Sequence, residues 1–192
     1  GGFHHASMGS SSGFCFFNDI GMVVEYLRME EGLKRFMVVD CDVHHGNGTQ
    51  DIFYSDPSVL NVSFHQDGKT LYPHSGHIDE VGDGIGKGFT VNLPLPPGTG
   101  TGTYLRAFKS VIPHLVSEFN PELIIYQAGV DTHYSDPLAD LELSYPDYYF
   151  LAKKMKELSK KSCDKLLVLL GVGYNSGSTV LLGLHVTSGL LG

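Results

Sequence analysis

Four short runs, at residues 36–42, 59–64, 123–128 and 166–170, are dominated by β-branched or long aliphatic side chains and bounded by Gly, Asp or Pro. Runs of this kind read as strands buried on both faces, the pattern of a parallel sheet covered by helices. Between them, apolar residues recur at helical spacing and predict helices over 19–31, 104–119 and 145–161. The last has a sharp start, because Ser144-Tyr145-Pro146-Asp147 supplies a capping Ser, a Pro in the first turn and an acidic third helical position. Residues 68–102 are instead loaded with Gly and Pro around one strand candidate at 89–93. They are expected to form long ordered loops, the segments in which compact domains carry much of their function. No repeat, low-complexity tract or linker interrupts the pattern. We therefore expect a single α/β domain over 1–192, with a mostly parallel central sheet and helices on both faces.

Composition narrows the function classes. A chain of 192 residues that is 42% hydrophobic can bury one sizeable core. A formal net charge of -8 offers no broad basic face for a nucleic-acid backbone, and suits a polycationic or lysine-bearing substrate better. Cys15, Cys41 and Cys163 are odd in number and lack paired metal-site spacing, which argues for a reducing compartment; the expected location is the cytoplasm. No apolar stretch is long enough to cross a bilayer, so no membrane partner is expected. The sequence opens at Gly1-Gly2-Phe3-His4-His5 without an initiator Met. From that opening we expect a domain truncated at both ends.

In open α/β sheets, ligands bind beyond the carboxyl ends of the strands. Here those ends run into Asp40-Cys41-Asp42-Val43-His44-His45, Ser63-Phe64-His65, Gly129-Val130-Asp131-Thr132-His133 and Gly171-Val172-Gly173-Tyr174. Side chains alternate along a strand, so Asp40, Asp42 and His44 share one face while Cys41 and Val43 take the other. A lone buried Asp or His is as often a hydrogen-bonded core residue as a ligand. Three on one face, followed by Gly46-Asn47-Gly48, point to a metal or proton-relay site. Cys41 is then core. The tandem His4-His5, the Asp131 cluster and the Gly-rich turn before Tyr174 are each weak signals alone.

Together these segments resemble the histone deacetylase superfamily. The resemblance rests on His4-His5-Ala6, Ser12-Gly13-Phe14-Cys15-Phe16-Phe17-Asn18-Asp19, the 40–49 run Asp-Cys-Asp-Val-His-His-Gly-Asn-Gly-Thr, Ala128-Gly129-Val130-Asp131, Asp136-Pro137-Leu138-Ala139 and Gly171-Val172-Gly173-Tyr174-Asn175, in the family's order. The opening and Asn47 look closer to prokaryotic acetoin-utilisation and acetylpolyamine amidohydrolase relatives, and to class II enzymes, than to class I. The resemblance implies a three-layer arginase/deacetylase-like fold and a zinc-dependent hydrolysis of an acetyl-amide, on acetyl-lysine in proteins or on an acetylated polyamine or small amine. It implies Asp42, His44 and Asp131 as metal ligands, with Fe2+ or Co2+ as alternatives to Zn2+ because two carboxylates and one imidazole make a hard site. It implies His5 as general base and acid, His4 held by Asp40 as a charge stabiliser, and Tyr174 as oxyanion donor. Phe14 and Tyr72 would line a narrow tunnel, with the Gly13 carbonyl accepting the substrate amide. A structural potassium is implied beside Asp40, Asp42, His44, Ser63 and Phe64.

Two positions depart from the family pattern. Asn47 stands where some members carry Asp beside the second histidine, which predicts a lower proton affinity for His5. Val172 interrupts the glycine run before Tyr174. Two rival readings remain: an arginase-like ureohydrolase with two manganese ions, for which His133 stands where a second-metal Asp is needed, and a non-catalytic binder of acyl-lysine or polyamine. Oligomeric state is unreadable in the sequence.

Overall fold

Along strand β1 (Phe36–Asp40), Phe36 and Val38 enter one hydrophobic core while Met37 and Val39 enter another, so the strand is covered on both faces. The computed structural model describes residues 1–171 and 173–192. Its elements are α1 (Asp19–Glu30), β1, α2 (Asn47–Phe53), β2 (Val59–Gln66), β3 (Thr90–Leu95), α3 (Thr101–Phe119), β4 (Leu123–Ala128), α4 (Tyr145–Ser162), β5 (Leu166–Leu170) and α5 (Ser176–Leu191). All four strand pairings are parallel, and the order across the sheet is β3-β2-β1-β4-β5.

The larger core lies under α3, α4 and α5, through Tyr104, Phe108, Ile112, Leu151, Met155, Leu182 and Val186. The smaller lies under α1 and α2, through Ile20, Val24 and Phe53. Cys41 and Val43 continue the first set, so the two-residue alternation runs on beyond the end of β1. Pro94 sits in β3, an edge strand, where its missing N–H leaves no ladder bond broken inside the sheet.

Several boundaries differ from the sequence expectation. β1 stops at Asp40 rather than 42, because after Cys41, whose N–H still donates to Gln127 of β4, the backbone N–H groups are taken by carboxylates instead of a neighbouring strand: Asp42 donates to Asp40, Val43 to Asp131 and His44 to Asp42. α3 starts at Thr101 rather than 104 and carries Pro113 inside it. α2 and α5 were not expected. α2 begins within Gly46-Asn47-Gly48, which reads as a turn, and α5 contains three glycines that weaken the helical signal. Gly189 nevertheless has a packing reason, since a Cβ there would lie 2.4 Å from the Tyr149 carbonyl of α4. At the start of α4, the Asp147 carboxylate accepts from both the backbone N–H and the hydroxyl of Ser144. Among the described residues no helix is long and apolar enough to cross a membrane.

Candidate active site

The carboxyl ends of β1 and β4 are neighbours in register, Asp40 beside Gln127, so the turns that follow them meet above the sheet. There Asp42, His44 and Asp131 are buried and offer ligand atoms that all lie within 4.8 Å of one another. His44 Nδ1 is 3.1 Å from Asp42 Oδ1 and 3.1 Å from Asp131 Oδ2. Asp42 Oδ2 is buried and has no hydrogen-bond partner among the described residues. The close approach of the two turns requires Gly129: a Cβ there would stand 2.4 Å from Asp42 Cα. Across the β1–β2 pairing, Asp40 lies opposite Ser63, which brings Ser63 and Phe64 to the same end of the sheet.

His4 and His5 are held from three directions. The Asp19 carboxylate accepts from the backbone N–H groups of Gly2 and Phe3, Thr49 N–H of α2 donates to the His4 carbonyl, and Asn18 donates to the Ala6 carbonyl. His4 Nδ1 donates to Asp40 Oδ2 at 2.7 Å. His5 Nδ1 donates to Asn47 Oδ1 at 2.7 Å. The two rings lie 4.1 Å apart between centroids.

The electrostatics separate these groups. Burial opposes charge on His4, but Asp40, Asp42 and Asp131 more than offset it and lift its pKa to about 9. Burial, followed by the positive charge of His4, pushes His5 down to about 3. Burial likewise opposes a charged His44, yet Asp131 and Asp42 raise it to about 10. Asp131 is lifted to about 8, first by burial and then by the charge of Asp42. Asp42 moves the other way, since His4 and His44 overcome its burial and hold it well below the usual carboxylate range. Two buried carboxylates and an imidazole this close together could hold a metal ion.

A cavity of about 400 Å3 opens onto this centre, lined by His5, Gly13, Phe14, His44, Leu71, Tyr72, Leu138 and Tyr174. A second of about 160 Å3, bordered by Gly1, Gly2, Phe3 and Cys15, also reaches Asp42 and His44. A larger hollow of about 510 Å3 between residues 7–11 and α1 holds no ligand cluster, so size does not locate the chemistry. Gly13 must be glycine, with φ of 51° and a would-be Cβ 2.3 Å from the His5 ring. Its carbonyl accepts weakly from Cys15 Sγ at 3.3 Å. Tyr174 N–H donates to Asp136 Oδ2 at 2.8 Å, and its ring is 6.1 Å from that of His44. Burial, then the charges of Asp131 and Asp42, push the Tyr174 hydroxyl upward, so it stays protonated.

The histone deacetylase domain model matches residues 1–190. The chain belongs to the histone deacetylase family. It is 40% identical over 173 residues to a probable deacetylase of Archaeoglobus fulgidus, covering 90% of this chain and 47% of that one. It is 42% identical over 176 residues to the acetoin utilization protein AcuC of Staphylococcus aureus, covering 91% and 45%. The crystal structure of an acetylpolyamine aminohydrolase from Burkholderia pseudomallei superposes with a TM-score of 0.89 at 30% identity, over 97% of this chain and 53% of that one. The chain thus spans about half the length of the relatives it matches. The arginase/deacetylase-like α/β fold expected from the sequence is the one observed.

Of the family positions carried over from the motifs, His4, His5, Asp40, Asp42, His44, Asp131 and Tyr174 converge on one centre, with Gly13, Phe14 and Tyr72 around its opening. Val172 lies outside the described residues. His133 does not join the Asp42 cluster; its Nδ1 pairs with Ser135 and its ring packs against Tyr134 and Tyr145. Sequence reasoning found Asp19 and Asp136 only as members of motifs and gave them no part in supporting the site. Asp19 and Asp136 hold the His4–His5 and Tyr174 segments by backbone N–H groups, contacts that leave no spacing signature. It also missed a buried polar network under the Tyr72 loop, in which His45 bonds Ser75 and Gln50, His65 bonds the Gly76 carbonyl, and Glu80 accepts from Gln50, Gly76 and His77.

Proposed function

We propose that this chain is the catalytic core of a metal-dependent deacylase that hydrolyses an acetyl-amide, on an acetylated lysine of a protein or on an acetylated small amine such as a polyamine. The observation that carries the reading is the Asp42–His44–Asp131 cluster, buried at the foot of an open cavity and flanked by two histidines of opposite proton affinity. These three residues would hold one divalent cation, zinc by family and iron(II) or cobalt by the hardness of the donors. The unpartnered Asp42 Oδ2 and the His44 Nδ1 turned toward both carboxylates fit that group. When bound, the cation supplies a Lewis acid that polarises the amide carbonyl and activates water. The potassium expected beside Asp40, Asp42, His44, Ser63 and Phe64 belongs to the same proposal.

The chain's own residues then divide the work. His5 donates from Nδ1 to Asn47, which leaves Nε2 as the free lone pair able to take a proton from the attacking water. Its low proton affinity makes that step harder and makes the return of the proton to the leaving amine easier. His4, kept charged by Asp40, stabilises negative charge beside the reacting carbon. Tyr174 donates its hydroxyl to the developing oxyanion. Phe14 and Tyr72 flank the alkyl chain of the amine, and the Gly13 carbonyl accepts its amide N–H. Three free cysteines suit the reducing cytoplasm, and the net charge of -8 suits a cationic substrate rather than nucleic acid.

The test is turnover of a fluorogenic acetyl-lysine peptide and of acetylated polyamines by the full-length protein. Tyr174→Phe should lower kcat by roughly 100- to 1,000-fold, as removal of other oxyanion donors does. Unchanged turnover in Tyr174→Phe or His5→Ala would overturn the assignment. Metal analysis should return one equivalent per chain, and two would favour a binuclear, arginase-type centre.

A further inference from the structure

The two walls of the cavity mouth are built differently. The wall carrying Tyr72 is pinned to the body of the fold: Glu80 accepts from the N–H groups of Gly76 and His77 and from Gln50 of α2, Asn92 of β3 donates to the Glu80 carbonyl, and His65 and His45 reach Gly76 and Ser75. The opposite wall is a tight turn at Ser12–Cys15, closed by two backbone hydrogen bonds between its ends, with Gly13 and Phe14 both at positive φ. Cys15 is buried and Gly13 lies against the His5 ring, which anchors the base of the turn, but Phe14 is 83% exposed, so little packing fixes where its outer edge stands. Among the described residues one hydrogen bond crosses from this turn to the pinned wall, between the hydroxyls of Ser12 and Tyr72. The Tyr72 ring it holds stands edge-on 5.1 Å from His5 and 6.4 Å from His44.

We propose that Ser12 and Tyr72 form a clasp that sets the width of the channel, and that they are positioning residues which determine how slender the alkyl chain next to the scissile amide must be. The outer edge of the turn, at Ser12 and Phe14, is the wall that can move, and the clasp ties it to the wall that cannot. With the clasp closed, Phe14 and Tyr72 bound a slot that admits a straight methylene chain and excludes a branch beside the nitrogen. Without it the ring of Tyr72 keeps its base but the turn is released, and the slot widens. This inference rests on the deacylase reading of the same site.

The experiment uses Tyr72→Phe, Ser12→Ala, the double variant and Ser12→Thr in the full-length, metal-loaded protein. kcat/KM is measured on two acetamides, one of an unbranched primary alkylamine and one with a methyl group on the carbon bonded to nitrogen. Each single variant should cut the preference for the unbranched amide about three- to tenfold, mainly through KM, the size expected for one neutral hydrogen bond. The double variant should go no further than either single, and Ser12→Thr should restore the preference. Additive singles, or an unchanged preference, overturn the clasp. Hydrogen exchange of the Ser12 and Cys15 amides gives a reading that needs no turnover: it should rise several-fold in Tyr72→Phe while β1 is unaffected. If the wild type hydrolyses neither amide, the deacylase reading fails while exchange still decides the clasp, and unaltered exchange refutes it.

Discussion

Loading the metal-free protein with one equivalent of zinc at pH 7 should expel between one and two protons. The His44 imidazole, with its pKa at about 10, is fully protonated at that pH. Asp131, lifted to about 8, is also biased toward its protonated form, and the two groups titrate as a pair. Both groups turn oxygen or nitrogen donors toward the same point, so a cation can enter only as those protons leave. Because each expelled proton contributes about one decade of affinity per pH unit, apparent affinity should climb one to two decades per unit between pH 6 and 8, and flatten above about 10. Stability follows with a definite sign. Both folded pKa values lie above their unfolded ones, so their contribution is fully present below those unfolded values and is lost as pH rises through about 8 and about 10. Metal-free protein therefore weakens toward alkaline pH, whereas protein with zinc at a hundred times its Kd gains about 2.7 kcal/mol. The gap in Tm between the two forms should widen from pH 6 to pH 9. Calorimetric titration in two buffers of different ionisation enthalpy counts the protons directly. A count near zero, or a gap that narrows with pH, would refute a cation held by this triad.

Two further outcomes follow from the geometry. Asn47→Asp places a carboxylate where Asn47 Oδ1 now meets His5, and should raise the His5 pKa from about 3 by roughly 1–3 units; the acid limb of turnover moves up with it, and an unmoved His5 resonance on NMR titration would show that Asn47 does not set its proton affinity. Gly129→Ala drives a methyl group against Asp42 Cα and should lower both metal affinity and thermal stability, by about 1–3 kcal/mol for the latter. Gly102→Ala in α3, where nothing lies within 4 Å, is the control and should be neutral or slightly stabilising by denaturant titration.

The sheet was legible in the sequence because each central strand is buried on both faces, and a strand so placed is mostly apolar along its length, as Met37, Val38 and Val39 are. The chemistry was legible for a related reason. A carboxylate and an imidazole at even spacing beyond an apolar run have no packing purpose, so Asp42 and His44 announced themselves as a pair. What reads from local periodicity fails where periodicity is broken for close approach. α2 begins at Gly46-Asn47-Gly48 because its backbone touches the His4–Ala6 segment, where a Cβ on Gly48 would lie 2.2 Å from the Ala6 carbonyl. The same glycine that looks like a turn is there to let two backbones meet.

Which residues belong together was settled by the fold. Asp131 is far from Asp42 in the chain, and only the parallel pairing of β1 with β4 sets their turns side by side. Asp19 and Asp136 act through backbone N–H groups of distant segments, Glu80 accepts from the distant Gln50 side chain, and the Ser12–Tyr72 bond spans the mouth between two loops. A sequence specifies which side chains can bind, donate or pack, since those are properties of single residues and their near neighbours. Distance across the fold is a property of the whole chain, and it alone turned a set of competent residues into one site.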